Sequence, residues 1–167
     1  MIRRIAILLI AALGCAGCDQ TTKALARHFL EPGERISLLG DTLRLNLVEN
    51  PGAFLSLGDV LPQSIRDIVF IGIVPSILIA FAAFIALRRG FRTDQVIAAG
   101  LFVGGGLGNF IDRVTNDGRV YDFLNVGIGS IRTGIFNVAD TILMFAMAYV
   151  VLAKHGLSAK RWRQDPS

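Results

Sequence analysis

Two aspartates stand where they can do chemistry. Asp140 lies in Phe136-Asn137-Val138-Ala139-Asp140-Thr141 and opens a strongly apolar run, Ile142 to Ala153, that stops at Lys154. Asp122 lies a little upstream, in Val120-Tyr121-Asp122-Phe123. The run after Asp140 is too short to cross a bilayer, which takes about 20 residues. A spanning helix must therefore start near Ile135, which carries Asn137 and Asp140 into the outer third of the membrane. Asp140 is eight residues beyond Arg132, about 12 Å at the helical rise. An ionisable group at that depth costs about 2.5 kcal/mol or more and by default marks a functional site. Capping is the competing account, because Asn is a preferred N-cap and a carboxylate three residues later suits a helix N-terminus. The second acid, Asp122, shifts the balance toward function. Two carboxylates in a low-dielectric site cannot both ionise easily, so one keeps its proton. Such a pair can activate water as a base and protonate a leaving amine as an acid.

The elements that position these groups are membrane helices. The 167 residues are 53% hydrophobic and 18% charged, with a mean hydropathy of +0.56, more apolar than most soluble domains. One domain, 1–167, is expected at this length. The net charge of +4 is unevenly placed and has no basic stripe with interleaved aromatics, so it reads as topology and not as nucleic-acid binding. Cys15 and Cys18 have C-x-x-C spacing. Inside an apolar run and without a neighbouring His, they read as small packing residues.

The first span covers about 5–22, between Arg3-Arg4 and Lys23. Its rival reading is a signal peptide in which Gly17-Cys18 resembles a bacterial lipidation site. That would make the chain a lipoprotein precursor modified on Cys18. The membrane character of the rest of the chain favours an uncleaved helix. Asp19 and Lys23 can pair at i, i+4. Residues 24–66 are mixed in composition and predict a small extramembrane β-element. Glu31-Pro32-Gly33-Glu34 and Asn50-Pro51-Gly52 are its turns, and Leu43 to Leu47 alternates as a half-buried strand. Ala53 to Gly58 follows as an apolar loop.

The second span is about 68–87, kinked at Pro75, and the basic loop Arg88-Arg89-Gly90-Phe91-Arg92 follows it. The third span, about 95–111, holds Gly100, Gly104, Gly105, Gly106 and Gly108. Two G-x-x-x-G pairs there allow close approach of a neighbouring helix, or leave room for a substrate chain. Beyond it, Asn109, Asp112 and Arg113 share one helix face at i, i+3 and i+4. Residues 114–132 form a loop with β character. The fourth span is about 135–153, and the basic tail 154–167 is expected to be poorly ordered.

Four spans put both termini on one side. That side has 9 Lys/Arg in 25 residues against 8 in 66 on the other, so the positive-inside rule places the termini in the cytoplasm. Asp19, Asn109, Asp112, Arg113, Asn137 and Asp140 then gather at the outer ends of their helices, with Asp122 beside them. No Ser-His or Cys-His arrangement competes, because His28 and His155 fall on opposite sides of the membrane. Metal binding by the acids would lack a His. Arg113 or Lys23 can hold one Asp charged, or can neutralise Asp112 and Asp19. A proton- or cation-coupled transporter would also bury acids, but four short spans show no internal repeat of the transporter kind.

Five blocks carry a family resemblance: Asp19-Gln20-Thr21-Thr22-Lys23, Asn50-Pro51-Gly52-Ala53-Phe54, Gly108 to Arg113, Val120 to Phe123 and Phe136 to Asp140. In this order, on a four-span frame, the chain resembles the signal peptidase II (lipoprotein signal peptidase) family of bacterial membrane aspartic peptidases. The resemblance implies four transmembrane helices with a periplasmic β-cradle and a small periplasmic helix. It implies an enzyme of the bacterial inner membrane that cuts prolipoproteins just before a diacylglyceryl-modified cysteine. It implies Asp122 and Asp140 as the catalytic pair, and Asn109, Arg113 and Asn137 as groups lining the site. Asp19, Lys23, Asp112, Asn50 and Gly52 would support it. No metal or organic cofactor is implied. The expected partners are prolipoprotein substrates and membrane lipids, with the chain a monomer and the signal helix resting against the glycine-rich third span. The lipobox-like context of Cys15 and Cys18 is not something the family requires.

Overall fold

The computed structural model describes residues 1–31, 33–52 and 61–164. The expected loop Ala53–Gly58 and Pro32 of the first turn lie outside them. The elements are α1 (Ile2–Phe29), β1 (Ile36–Leu38), β2 (Leu43–Asn50), α2 (Gln63–Asp67), α3 (Val74–Leu87), α4 (Thr93–Thr115), β3 (Val120–Ile128), β4 (Ile131–Arg132) and α5 (Val138–Gln164). A π-helical turn, Ile68–Ile73, joins α2 to α3, giving one continuous helix Gln63–Leu87.

Several boundaries differ from the sequence reading, each for a local reason. α1 runs to Phe29, so residues 24–29 are helical and not part of the β-element. Ala24-Leu25-Ala26 are good helix formers, and Arg27 and His28 complement the C-terminal dipole. Pro75 falls in the first turn of α3, directly after the π turn, where Val74 N–H bonds back to the Val69 carbonyl. The widened turn accommodates the donor that proline lacks. α4 continues to Thr115, which makes Asp112 and Arg113 helical. α5 starts at Val138, not Ile135, because Phe136 is bridged to Leu124 of β3. α5 stays helical to Gln164, through most of the basic tail.

Among the described residues, two helices, Gln63–Leu87 and Thr93–Thr115, are long and apolar enough to cross a membrane. Only 11% of the most apolar window of Gln63–Leu87 is buried, against 39% for α4. The first helix therefore turns apolar surface outward, while α4 is the helix the others pack around.

Lipid is as apolar as leucine, so close packing and not hydrophobic burial must hold such helices together. Glycine supplies that closeness. A Cβ on Gly100 would lie 2.7 Å from Ala11 Cβ, and one on Gly104 2.7 Å from Cys15 Cβ, both on α1. Gly105 faces Leu143 of α5 at 2.8 Å, and Gly106 meets the Leu78 side chain of α3. All of these faces are filled by the protein's own helices, so the alternative in which they make room for a substrate helix is not realised. Cleavage before Cys18 would remove Leu8, Ala12 and Cys15, the residues on which this seam closes.

The sheet is antiparallel in the order β1-β2-β3-β4. It sits on the end of α1, where Ala26, Leu30 and Phe123 form a cluster joined by Leu45 and Leu47. Between β2 and β3 the register shifts: Leu45 opposes Leu124, yet Val48 opposes Asp122. That is one extra residue on β2, a β-bulge. A one-residue shift exchanges the two faces of a strand. Without it Leu47 and Glu49 would share the face of Asp122; with it, Val48 and Asn50 do.

Candidate active site

Ten residues singled out in the sequence meet where α1, α4 and the start of α5 reach the sheet, Gly52 through its backbone alone. The innermost group is ionic. Lys23 Nζ lies 2.7 Å from Asp19 and 2.9 Å from Asp112, with all three side chains at most 3% exposed. It also donates to Asn109 Oδ1 at 3.0 Å. Gly108 makes room for this cluster, since a Cβ there would stand 2.5 Å from Asp19 Oδ2. Burying ions costs several kcal/mol each unless every polar valence is met, and here the remaining valences reach outward. Asp19 accepts the Ala139 N–H at 2.9 Å, one of the free donors of the first turn of α5. Asp112 accepts the Tyr121 N–H at 3.1 Å and the Gln20 amide at 2.7 Å. The cluster thus pins both elements that carry Asp122 and Asp140.

Above it, three asparagines are oriented so that their NH2 groups point at carboxylates. Asn137 Oδ1 accepts the Asp140 backbone N–H at 2.9 Å, which leaves Nδ2 to donate to Asp122 Oδ1 at 2.6 Å and to Asn109 Oδ1 at 3.1 Å. Asn109 Oδ1, already facing Lys23 and Asn137, leaves its Nδ2 to donate to Asp140 Oδ1 at 2.9 Å. Asn50 Oδ1 takes the Gly52 N–H at 2.9 Å, and Nδ2 donates to Asp122 Oδ2 at 2.8 Å. A flipped amide would set oxygen against oxygen, so each orientation is fixed by a neighbour that can only donate.

Asn137 and Asp140 form the capping arrangement as well. The Asn137 N–H donates to Asp140 Oδ2 at 3.3 Å while Asn137 Oδ1 caps the Asp140 N–H. The two accounts weighed for these residues describe one geometry, in which capping aims the acid. Asn137 consequently touches both acids, and Asp122 and Asn137 are 2% and 0% exposed. Burial pushes the Asp122 carboxyl up to about 6. The charge of Asp140 pushes the same way, while the hydrogen bonds from Asn50 and Asn137 and the charge of Lys23 oppose it.

Arg113 behaves differently from Lys23. It donates to the Gly52 carbonyl at 2.9 Å and the Asn109 carbonyl at 3.2 Å, and its guanidinium lies 4.7 Å from the centre of the Phe70 ring. Among the described residues it forms no ion pair. It ties the Asn50–Gly52 turn and the π turn to α4.

This arrangement has known counterparts. A family model described as Signal peptidase (SPase) II matches residues 10–155. The lipoprotein signal peptidase of Leifsonia xyli subsp. xyli is 35% identical over 167 residues, covering 95% of this chain and 73% of that protein. That of Treponema pallidum is 38% identical over 136 residues, covering 75% and 70%. A solved structure, a bacterial membrane enzyme obtained by the in meso method at 2.3 Å resolution, superposes with a TM-score of 0.77. It is 27% identical, with 96% of this chain and 92% of that one covered. The chain belongs to the signal peptidase II family. It is accordingly a peptidase, with the fold of a membrane enzyme.

Within this signal peptidase II, sequence reasoning missed Gln20, the backbone donors Tyr121 and Ala139, and Phe70. Gln20 had a signal, since it stands one turn before Lys23 on the same helix face. The backbone donors had none, because any residue supplies an N–H. Cys15 is buried against Gly104, as a packing residue, and Cys18 is exposed.

Proposed function

We propose that this signal peptidase II is an aspartic endopeptidase that removes signal peptides from diacylglyceryl-modified prolipoproteins, cutting just before the lipidated cysteine. The observation that carries this reading is the position of Asn137. It joins Asp122 of the sheet and Asp140 of α5 through one amide and its own N–H. Two acids held this way, with Asp122 buried and Asp140 partly exposed, suit one bound water.

Asp122, whose carboxyl burial pushes up to about 6, is the member of the pair assigned the proton. Asp140, fed by the Asn109 amide and its own helix N-terminus, is the base that takes a proton from water as it attacks the scissile carbonyl. Asp122 donates its proton to the carbonyl oxygen, giving a gem-diol; Asp140 then passes the proton taken from water to the leaving amine, and Asp122 recovers its own as the C–N bond breaks. Asn109, Asn137 and Asn50 hold the acids, Arg113 and Gly52 link the site to the neighbouring turn, and Asp19, Lys23 and Asp112 are its scaffold. Water is the sole co-reactant, so the reading assigns no metal or organic cofactor. One chain supplies every named group, which is compatible with a monomer. The substrate reaches the site sideways through the bilayer, with its acyl chains left in lipid.

The topology in this reading is four membrane crossings in the bacterial inner membrane, with both termini cytoplasmic and the acids at the periplasmic side. Its support is the charge asymmetry of the sequence and the bond from the Arg4 guanidinium to the Arg88 carbonyl, which puts the start of α1 beside the α3–α4 turn. The test is cleavage of a diacylglyceryl-modified prolipoprotein peptide by detergent-purified protein. Wild type should cleave, and Asp122→Asn and Asp140→Asn should be inactive but folded. Retained cleavage by Asp140→Asn would sink the assignment of the pair, and ion flux in proteoliposomes without cleavage would put a transporter in its place.

A further inference from the structure

The end of α4 remote from the acids carries a second built feature. A cleft of about 690 Å³ opens between α3, α4 and α5, walled by residues such as Phe81, Phe84, Phe91, Phe102 and Val150. Its walls are almost wholly apolar, yet its mouth is not. The Arg88 guanidinium lies 5.3 Å from the centre of the Phe84 ring, and Phe84 packs edge-on against Phe91 at 5.8 Å. Phe91 also lines a small pocket of about 200 Å³ that it shares with Arg3 and Arg4. Arg92 stands 3.0 Å from Asp94, which also accepts the Tyr149 hydroxyl at 2.6 Å and the Gln95 N–H at 3.1 Å. Tyr149 and Gln95 belong to the cleft. The rim thus gathers Arg88 and Arg92, with Arg3 and Arg4 on the other side of Phe91 and Arg89 next to Arg88 in the chain, against one carboxylate that is already paired. Arg88 and Arg89 are exposed and face no acid among the described residues.

The site is separate from the acid pair. Gln95 and Asn109 are fourteen residues apart on α4, about 21 Å at the helical rise. An apolar slot in a membrane helix bundle accepts a hydrocarbon chain, and a ring of arginines at its mouth selects a phosphate carrying net negative charge. A zwitterionic headgroup satisfies the slot but not the rim. We propose that this cleft binds an anionic phospholipid, with one acyl chain between α3 and α5 and its phosphate held by Arg88 and Arg89. On the topology proposed above, that lipid belongs to the cytoplasmic leaflet.

The experiment uses the full chain in nanodiscs containing equal amounts of phosphatidylglycerol and phosphatidylcholine with identical acyl chains. The protein is then released into detergent, and native mass spectrometry counts the lipids it retains. Wild type should retain phosphatidylglycerol about tenfold over phosphatidylcholine, since each arginine near a phosphate contributes severalfold. Arg88→Gln combined with Arg89→Gln should bring the ratio close to one without abolishing retention. Met147→Trp, at a largely exposed cleft position, should reduce retention of both lipids. Equal retention of the two lipids by wild type would overturn the proposal, as would a preference that survives loss of both arginines.

Discussion

Replacing Asn50 with alanine removes one of the two amide donors to Asp122, and its effect can be worked through. Asn50 Nδ2 donates to Asp122 Oδ2 at 2.8 Å. Of the influences that hold the Asp122 carboxyl down against burial, this hydrogen bond is the largest. A hydrogen bond to a charged group contributes about 1.5–3 kcal/mol, and water entering the gap recovers part of that. At about 1.4 kcal/mol per unit, the lower end of the range corresponds to about one pH unit. The Asp122 carboxyl, already pushed up to about 6, should therefore move up by about one unit more. In the proposed mechanism Asp122 must hold its proton, so activity declines as pH rises through its pKa. The descending limb of kcat/KM should move to higher pH by about one unit in Asn50→Ala. The assay is cleavage of a lipidated prolipoprotein peptide across pH, because kcat/KM reports the free enzyme. Asn50 also accepts the Gly52 N–H, and disturbing that turn can slow the reaction at every pH. Such slowing leaves the limb where it was. A limb that stays in place, or moves to lower pH, would refute both the acid role of Asp122 and the reasoning about its donors.

Three further outcomes follow from the same geometry. A carboxyl raised from 3.8 to about 6 stabilises the fold fully below pH 3.8, and that contribution is lost as pH rises through 6. The loss is about 3 kcal/mol, so wild type should lose about that much more stability than Asp122→Ala between pH 4 and pH 7 in detergent unfolding. Lys23→Met leaves Asp19 and Asp112 buried without their cation and should cost about 3–5 kcal/mol. Adding Asp19→Asn should recover part of this, and an unchanged denaturation midpoint for Lys23→Met would contradict the ion cluster. Gly104→Val puts a side chain where its Cβ would lie 2.9 Å from Ala12 Cα. It should destabilise by at least about 1–3 kcal/mol, whereas Gly14→Ala, with nothing within 4 Å, should be tolerated when melting temperatures are compared.

Much of the site was readable from residue types alone. Asp122, Asp140, Asn109 and Lys23 are polar groups in or beside apolar runs, and membrane burial leaves few reasons for them other than function or pairing. Spacing also told that Asp19 faces Lys23, because a helix places residues four apart on one face. Helix ends were less legible. Hydropathy marks where a helix can sit in lipid, not where its hydrogen bonds stop, and α1 and α4 both run past their apolar stretches.

What the chain by itself determined was local: the apolar spans, the acids at their ends, the turns at Gly33 and Gly52, and small residues wherever α4 must be approached closely. Only the tertiary structure decided which neighbour fills each glycine face, with α1 at Gly100 and Gly104, α5 at Gly105 and α3 at Gly106. Only it decided that Lys23, and not Arg113, neutralises Asp112. The β2 bulge is the sharpest case. It moves Asn50 to the face of Asp122, and nothing in Leu43 to Asn50 announces it. Strand parity is a property of pairing: a residue's face depends on what lies opposite, and that partner is more than 70 residues away. The orientation of the Asn109 amide has the same origin, since it is set by Lys23 from another helix, whereas Asn137 and Asn50 are set by backbone donors three and two residues further along the chain.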